Sequence, residues 1–316
     1  MAMHKLDAIN LLLLIVVVVS LGNCRYAFAA EGASSHYLPG LAGDIGIAVA
    51  SPKPGWQTSS SFFYQTGNAG TAVLQGRVDF SLDMDLFLVI PAMSYTFDKH
   101  VLGGTYTVSA AVPFGYANLS ARLSGFGAAV ETKANSFNLS DMSINPIQLN
   151  WQANNFYFKL GESVIVPTGA YDKNDLVNLG RNYWSFDTIG ALTWLDPKLG
   201  TEVSIAPGIM FNTKNNDTDY KTGDEFHVDF VVNQFLMETF AVGLRGYYYK
   251  QITGDSGNGA RLGDFKSESL GIGPGFAWMP SFAKGDFTLL GKWVRDVQSE
   301  NRFDSDYFTL IAAWKF

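Results

Sequence analysis

The chain has 316 residues, of which 16% are charged, 47% hydrophobic and 14% aromatic, and its 22 Lys and Arg against 29 Asp and Glu leave a net charge of −7. A soluble protein carries about a quarter charged residues, so this shortfall, with 32 glycines and 24 phenylalanines, points to lipid as part of the solvent. Mild acidity without Lys/Arg clusters argues against a nucleic-acid partner, and beyond residue 30 no run approaches the ~18 apolar residues that a membrane-spanning helix needs.

The N-terminus reads as an address. His4 and Lys5 precede the unbroken apolar run Leu11–Val19, and Ala27-Phe28-Ala29 has the small-x-small form of a secretory cleavage site, so residues 1–29 are expected to be a signal peptide cut after Ala29. Leu21-Gly22-Asn23-Cys24 offers a competing lipobox, with Asn where a small residue is wanted before the cysteine. Cleavage removes Cys24, the single cysteine, so the mature chain owes nothing to disulfides. Residues 30–56 have two Gly-rich turns and Pro52-Lys53-Pro54-Gly55 but little strand alternation and little charge. They are expected to fold into a lumen as a plug, with His36 and Tyr37 as candidate contacts. The other reading is a loose periplasmic leader.

From Gln57 onward the pattern has period two, the signature of strands with two chemically different faces. In 76–97, Val78, Phe80, Leu82, Met84, Leu86, Leu88 and Ile90 share one face, and Arg77, Asp79, Ser81, Asp83 and Asp85 the other. Similar splits recur around Val203–Phe211, Phe226–Val232, Phe240–Tyr248 and Phe287–Val297. Such runs are long for a soluble sandwich but suit a membrane barrel, which needs about 9–11 residues to cross at a tilt and turns its apolar side outward. Twelve strands are read at 57–66, 76–97, 101–113, 141–152, 155–167, 182–195, 200–213, 224–235, 239–252, 264–279, 285–298 and 304–316. Their connections alternate long and short, as outer loops and periplasmic turns do. The predicted fold is all-β, a membrane-spanning antiparallel up-and-down β-barrel over 57–316.

Two places break the pattern. Glu162 falls among Phe156, Phe158, Leu160, Val164 and Val166, where a bulge or a shielding partner is expected. The phase also shifts around Pro146, from Met142 and Ile144 to Ile147, Leu149 and Trp151, as a one-residue bulge would produce. The chain ends with Phe308, Leu310, Ala312, Trp314 and Phe316 on one face, resembling the closing strand read by the outer-membrane assembly machinery.

With the apolar faces in lipid, the inward candidates for a permeation path are Arg77, Asp79, Asp83, Asp85, Asp187, Glu202, Glu225, His227, Asp229, Arg245, Lys292 and Asp296. They read equally as a charged lumen that biases permeation or as a salt-bridge network filling a narrow barrel. The Asn/Asp-rich loop 212–224 has oxygen ligands but not the spacing of a calcium loop, and no metal is expected. His227 is the one credible base for a barrel hydrolase, but neither a G-x-S-x-G motif nor a phosphate loop followed by a helix accompanies it, so no enzyme is expected. Residues 114–140, the longest outer connection, leave room for an adhesive or structural barrel with a closed lumen, and Ala117–Ser124 can extend a strand above the membrane.

Glu31–Gly40 (EGASSHYLPG), Val166–Lys173 (VPTGAYDK), Asn178–Asp187 (NLGRNYWSFD), Thr193–Gly200 (TWLDPKLG), Asp219–Phe230 (DYKTGDEFHVDF) and Ile252–Lys266 resemble segments of the bacterial outer-membrane family labelled "MetA-pathway of phenol degradation". The resemblance covers nearly all of the mature chain. It implies a passive transporter in the bacterial cell outer membrane, with aromatic or hydrophobic compounds as solutes, and it supplies no catalytic residues. The expected protein is a monomer without a cofactor, whose partners are outer-membrane lipid and a small solute.

Overall fold

The structure, a computed structural model, describes residues 34–51, 53–73, 78–125, 128–260, 266–283 and 286–316. The expected signal peptide, Cys24 and Arg77 lie outside the described residues. Fourteen strands follow in order: β1 (Gly55–Val73), β2 (Val78–Val101), β3 (Gly104–Ala111), β4 (Phe114–Gly125), β5 (Ala128–Leu139), β6 (Met142–Ala153), β7 (Phe156–Val166), β8 (Ser185–Asp196), β9 (Thr201–Asn212), β10 (Glu225–Met237), β11 (Phe240–Gln251), β12 (Glu268–Trp278), β13 (Phe287–Glu300) and β14 (Asp304–Lys315). Twelve of them, β1–β3 and β6–β14, form an antiparallel barrel closed by β1 against β14. Closure leaves these strands no bare edge, which is what lets a sheet sit in lipid.

The remaining pair, β4 and β5, is a finding about the connection expected at 114–140. β4 continues the direction of β3 after Val112-Pro113 and pairs with the upper half of β2, Val78 to Val89, while β3 pairs with the lower half. β5 pairs with β4 and leads straight into β6. A four-stranded sheet, β1-β2-β4-β5, therefore projects beyond the rim, with the paired strand ends Val73/Val78 and Gly125/Ala128 farthest from it. The opposite end has tight turns at Leu102-Gly103 and Asn154-Asn155, where Leu102, Gly103 and Asn154 take positive φ of 51°, 77° and 54°. Mostly long connections at one end and mostly two- to four-residue turns at the other orient the barrel, with the projection outside the cell.

Its lipid face is bounded by aromatics. Near the short turns, Trp56 packs on Tyr95, Tyr95 on Phe97 and Phe97 on Tyr106. Higher up, Trp293, Phe308, Tyr64, Phe87, Tyr116 and Phe137 are successive register partners across six strands, and all six side chains are exposed on the outer face. Phe87 and Tyr116 lie ten residues along their strands from Phe97 and Tyr106, about the length needed for a tilted crossing. The next outward row is polar throughout: Arg295, Asp306, Thr66, Asp85, Asn118 and Asn135.

This boundary overturns part of the sequence reading. Asp79, Asp83 and Asp85 point outward rather than into the lumen. Asp85 accepts a hydrogen bond from the outward Tyr64 hydroxyl at 2.9 Å, whereas Leu88 and Ile90 of the same strand are buried inside. The physical reason is that both environments of β2 change along its length. Below Ile90 the exterior is lipid and the interior polar, so Met93, Tyr95 and Phe97 face out and Ser94 and Thr96 face in. Above Phe87 the exterior is water, and from Ile90 upward the interior is apolar, so the hydrophobic phase switches faces. A charged–apolar alternation reads the same in either case.

The other irregularities come out as expected. Between Ile144 and Ile147, β6 spends one residue more than β7 and one more than β3, a bulge at Asn145-Pro146 that keeps both isoleucines outward. Glu162 is on the outer face and accepts a hydrogen bond from Thr188 Oγ1 at 2.6 Å. Because a lipid-facing carboxylate costs less than the ~2–4 kcal/mol of a cation but still destabilises, Glu162→Leu is expected to raise stability by about 1 kcal/mol. Urea unfolding in detergent measures this; an unfolding midpoint unchanged or lowered would show that the Thr188 bond outweighs desolvation.

Candidate functional site

The described part of the leader runs the length of the lumen. Near the outer end, Arg181 of the β7–β8 connection donates to the Ser34 carbonyl at 3.1 Å and hydroxyl at 2.8 Å. Midway, Lys292 Nζ donates to the Leu41 and Gly43 carbonyls at 2.8 and 3.2 Å and pairs with Asp44 at 2.6 Å. Lower still, the Gly46 amide donates to Glu202 Oε1 at 2.7 Å, the Ala48 amide to Thr193 at 3.1 Å, and Asn150 to the Ala48 carbonyl at 2.9 Å. Lys315, at the foot of β14, holds Ser51 and the Lys53 carbonyl. The chain then turns up into β1. Burying this irregular backbone is tolerable because side chains of the barrel wall take up its polar groups.

Eight of the expected lumen residues face inward and are buried: Asp187, Glu202, Glu225, His227, Asp229, Arg245, Lys292 and Asp296. Lys292 holds the leader, Glu225 accepts from Asn212 Nδ2 at 3.0 Å, and the other six fall into three groups. Glu202 accepts from Ser204 and Asn233, and Asn233 in turn accepts from Arg245 at 2.6 Å. Asp296 gathers the hydroxyls of Tyr247 and Tyr307 and the Ser305 amide. His227 stands 2.9 Å from Asp187 and 3.8 Å from Asp229. Its ring is covered by Tyr37, stacked at 4.4 Å, whose hydroxyl donates to Asp229 at 3.1 Å. Nothing in this arrangement offers His227 a nucleophile; it is a lumen histidine held between carboxylates under a leader tyrosine.

His36 makes the second leader anchor. Its Nε2 lies 2.9 Å from Asp141 and its Nδ1 2.7 Å from Ser185 Oγ. These are the residue types of a hydrolase triad, but the serine oxygen is fully buried and also bonded to Asn212 at 2.6 Å, so no carbonyl substrate reaches it. Burial is the largest influence on His36 and lowers its pKa, with the Asp141 hydrogen bond pulling the other way. For Asp141 burial pushes upward, but the bonds from His36 and from the Gly169 and Arg181 amides win and hold it below the usual carboxylate range.

Above the leader lies a cavity of about 630 Å³. One wall is apolar: Met84, Leu86, Leu88 and Ile90 of β2, with Leu119 of β4 and Val177 and Leu179 of the β7–β8 connection. Its floor is polar, with His36, Asp141, Asp187 and His227. Leu38 and Leu41 of the leader belong to the same hydrophobic cluster as Leu88 and Ile90. The β7–β8 connection is fixed by Gly169 and Gly180, whose backbones pass so closely that a Cβ on either would come within 2.6 Å of the other.

Several contributors were not found in the sequence. Asp141 and Arg181 lie in connections with no periodic signal. Arg302, in the short β13–β14 turn, reaches inward to sit 4.3 Å over the Tyr249 ring. The inward leucines of β2 carry a clear alternation, whose sign in the sequence alone points to lipid. Among the described residues no cluster of three or more His, Cys, Asp or Glu is arranged to hold a metal ion, and in loop 212–224 Asp219 is paired with Lys214 at 2.7 Å.

Residues 63–310 match the model of the family described as "Putative MetA-pathway of phenol degradation". The chain belongs to this family. Among solved structures it is similar to the COG4313 outer membrane channel from Pseudomonas putida F1, at 16% identity and a TM-score of 0.70, over 86% of this chain and 99% of that one. Much fainter is the likeness to the β domain of the Bordetella autotransporter Brka, at 10% identity and TM-score 0.43 over 84% and 100% of the two chains. No curated protein matches. A closed barrel with an apolar outer band between two aromatic girdles is an outer-membrane protein, and that is where this family member resides.

Proposed function

We propose that the protein is a passive outer-membrane channel for a small apolar or aromatic solute, and that residues 34–51 act as its lumen plug. The observation that carries this reading is the inward turn of Met84, Leu86, Leu88 and Ile90 onto a cavity of about 630 Å³. Pockets of this size, mostly apolar with a few convergent polar groups, suit small organic ligands. The solved channel in Pseudomonas putida supports the general class. Phe316, exposed at the base of the closing strand, is the surface offered to the assembly machinery. A closed structural barrel is the second reading, favoured by the density of hydrogen bonds along the leader.

Uptake of the fluorescent apolar probe N-phenylnaphthylamine by intact Gram-negative cells tests the function, because their lipopolysaccharide layer resists such compounds. Cells producing the protein are expected to take up the probe faster than vector controls. A carboxylate in the apolar wall must be desolvated when the probe packs against it, so Leu88→Asp and Ile90→Asp should slow the protein-dependent rate roughly tenfold. Equal rates for wild type, both variants and vector would sink the proposal.

A further inference from the structure

The projecting part of the β1-β2-β4-β5 sheet has water outside it and keeps one face apolar all the same. On the outer face stand Asp79, Asp83, Asp85, Arg122, Glu131 and Lys133. On the inner face, at the alternate positions, stand Leu82, Leu119, Ala121, Leu123, Val130 and Ala134, with Thr132 the one polar side chain among them. An extended apolar face on a sheet beyond the lipid boundary needs a covering group. At its base that cover is internal: Leu82, Met84 and Leu119 pack on Ala69 and Phe303. Farther out, Val130 is 51% exposed.

The inner face is also continuous with the cavity, since Met84, Leu119 and Phe303 belong to both. Going down β2, each inward residue from Leu82 to Ile90 is apolar, so an apolar track leads from the projection to the cavity wall. We propose that this inner face is a capture surface that takes the apolar solute from outside the membrane and delivers it to the cavity. A small solute, rather than another protein chain, is the occupant because the track ends in a cavity of about 630 Å³, the size of a small organic molecule. In addition, the edge strand β5 carries the Glu131–Lys133 ion pair, 2.9 Å apart, of the kind that discourages pairing with a foreign strand.

This inference rests on the channel reading, and two measurements separate them. The full mature chain in lipid nanodiscs is irradiated with a small apolar diazirine, and the labelled residues are mapped by mass spectrometry. Labelling is expected at Leu82, Leu123 and Val130 as well as at Leu88, with the outward Asp83 and Arg122 positions blank. Leu123→Glu with Val130→Glu should remove the outer labels, leave Leu88 labelled at saturating probe, and slow cellular uptake at limiting probe by at least about threefold. Should that pair fail to assemble, judged by heat-shifted mobility in gels, Val130→Ser serves in its place. Labelling at Leu88 without labelling of the projection, or wild-type uptake by the variants, overturns the capture surface and leaves the channel standing. Loss of labelling at Leu88, with Leu88→Asp cells taking up probe normally, overturns both.

Discussion

Lys292→Met is expected to turn a quiet barrel into a conducting one. The ammonium has three protons, and each has a leader partner: the Leu41 and Gly43 carbonyls and the Asp44 carboxylate. The Lys292 side chain is 3% exposed and that of Asp44 28%, so the pair is only partly screened. Methionine fills similar space but leaves all three acceptors without a donor. Breaking a buried pair costs about 3–5 kcal/mol; discounted for the exposure of Asp44, about 3 kcal/mol raises the undocked fraction of the leader roughly a hundredfold. In planar bilayers the variant should show larger and longer openings than wild type, and Lys292→Arg should restore part of the block. Matching conductance traces for Lys292→Met and wild type would mean that the leader does not gate the lumen.

The second large effect is expected on the barrel itself. Glu202, fully buried, accepts from the Gly46 amide, Ser204 Oγ and Asn233 Nδ2 at 2.7, 2.7 and 2.8 Å, and Asn233 connects it to buried Arg245. Glu202→Ala removes the shared acceptor of three donors and leaves Asp44 as the remaining counter-charge of the buried Arg245 guanidinium. The expected loss is about 3–5 kcal/mol, read as a lower urea midpoint and a lower temperature for the heat-induced gel shift. Removing both charges together, Glu202→Leu with Arg245→Leu, should recover much of the loss, because well-packed apolar groups replace a buried ion pair at little cost. An unfolding curve for Glu202→Ala superimposable on wild type would show that water supplies the missing partner.

Where a strand crosses lipid with a wet interior, its faces were legible from alternation. On β9, Val203, Ile205 and Ile209 go out and Glu202, Ser204 and Asn212 go in, and β10, β11, β13 and β14 behave alike. The bulge at Pro146 and the outward Glu162 were also legible, since each breaks a period that lipid otherwise enforces. The upper half of β2 was not, because two solvents exchange sides there and period two has no sign of its own. His36 and Tyr37 stood out as aromatic and titratable groups in a segment poor in charge. Asp141, Ser185 and Arg302, which complete their surroundings, come from distant connections and strand ends with no local signature.

By itself the sequence determined that this chain forms a tilted antiparallel barrel, since twelve stretches of alternation with unequal connections have one closed solution in lipid. Only the tertiary structure decided which side of β2 meets the solute and how the leader is held. Those outcomes depend on where the lipid ends along each strand and on partners more than a hundred residues apart, such as His36 with Asp141 and Lys292 with Asp44. Local pattern carries neither.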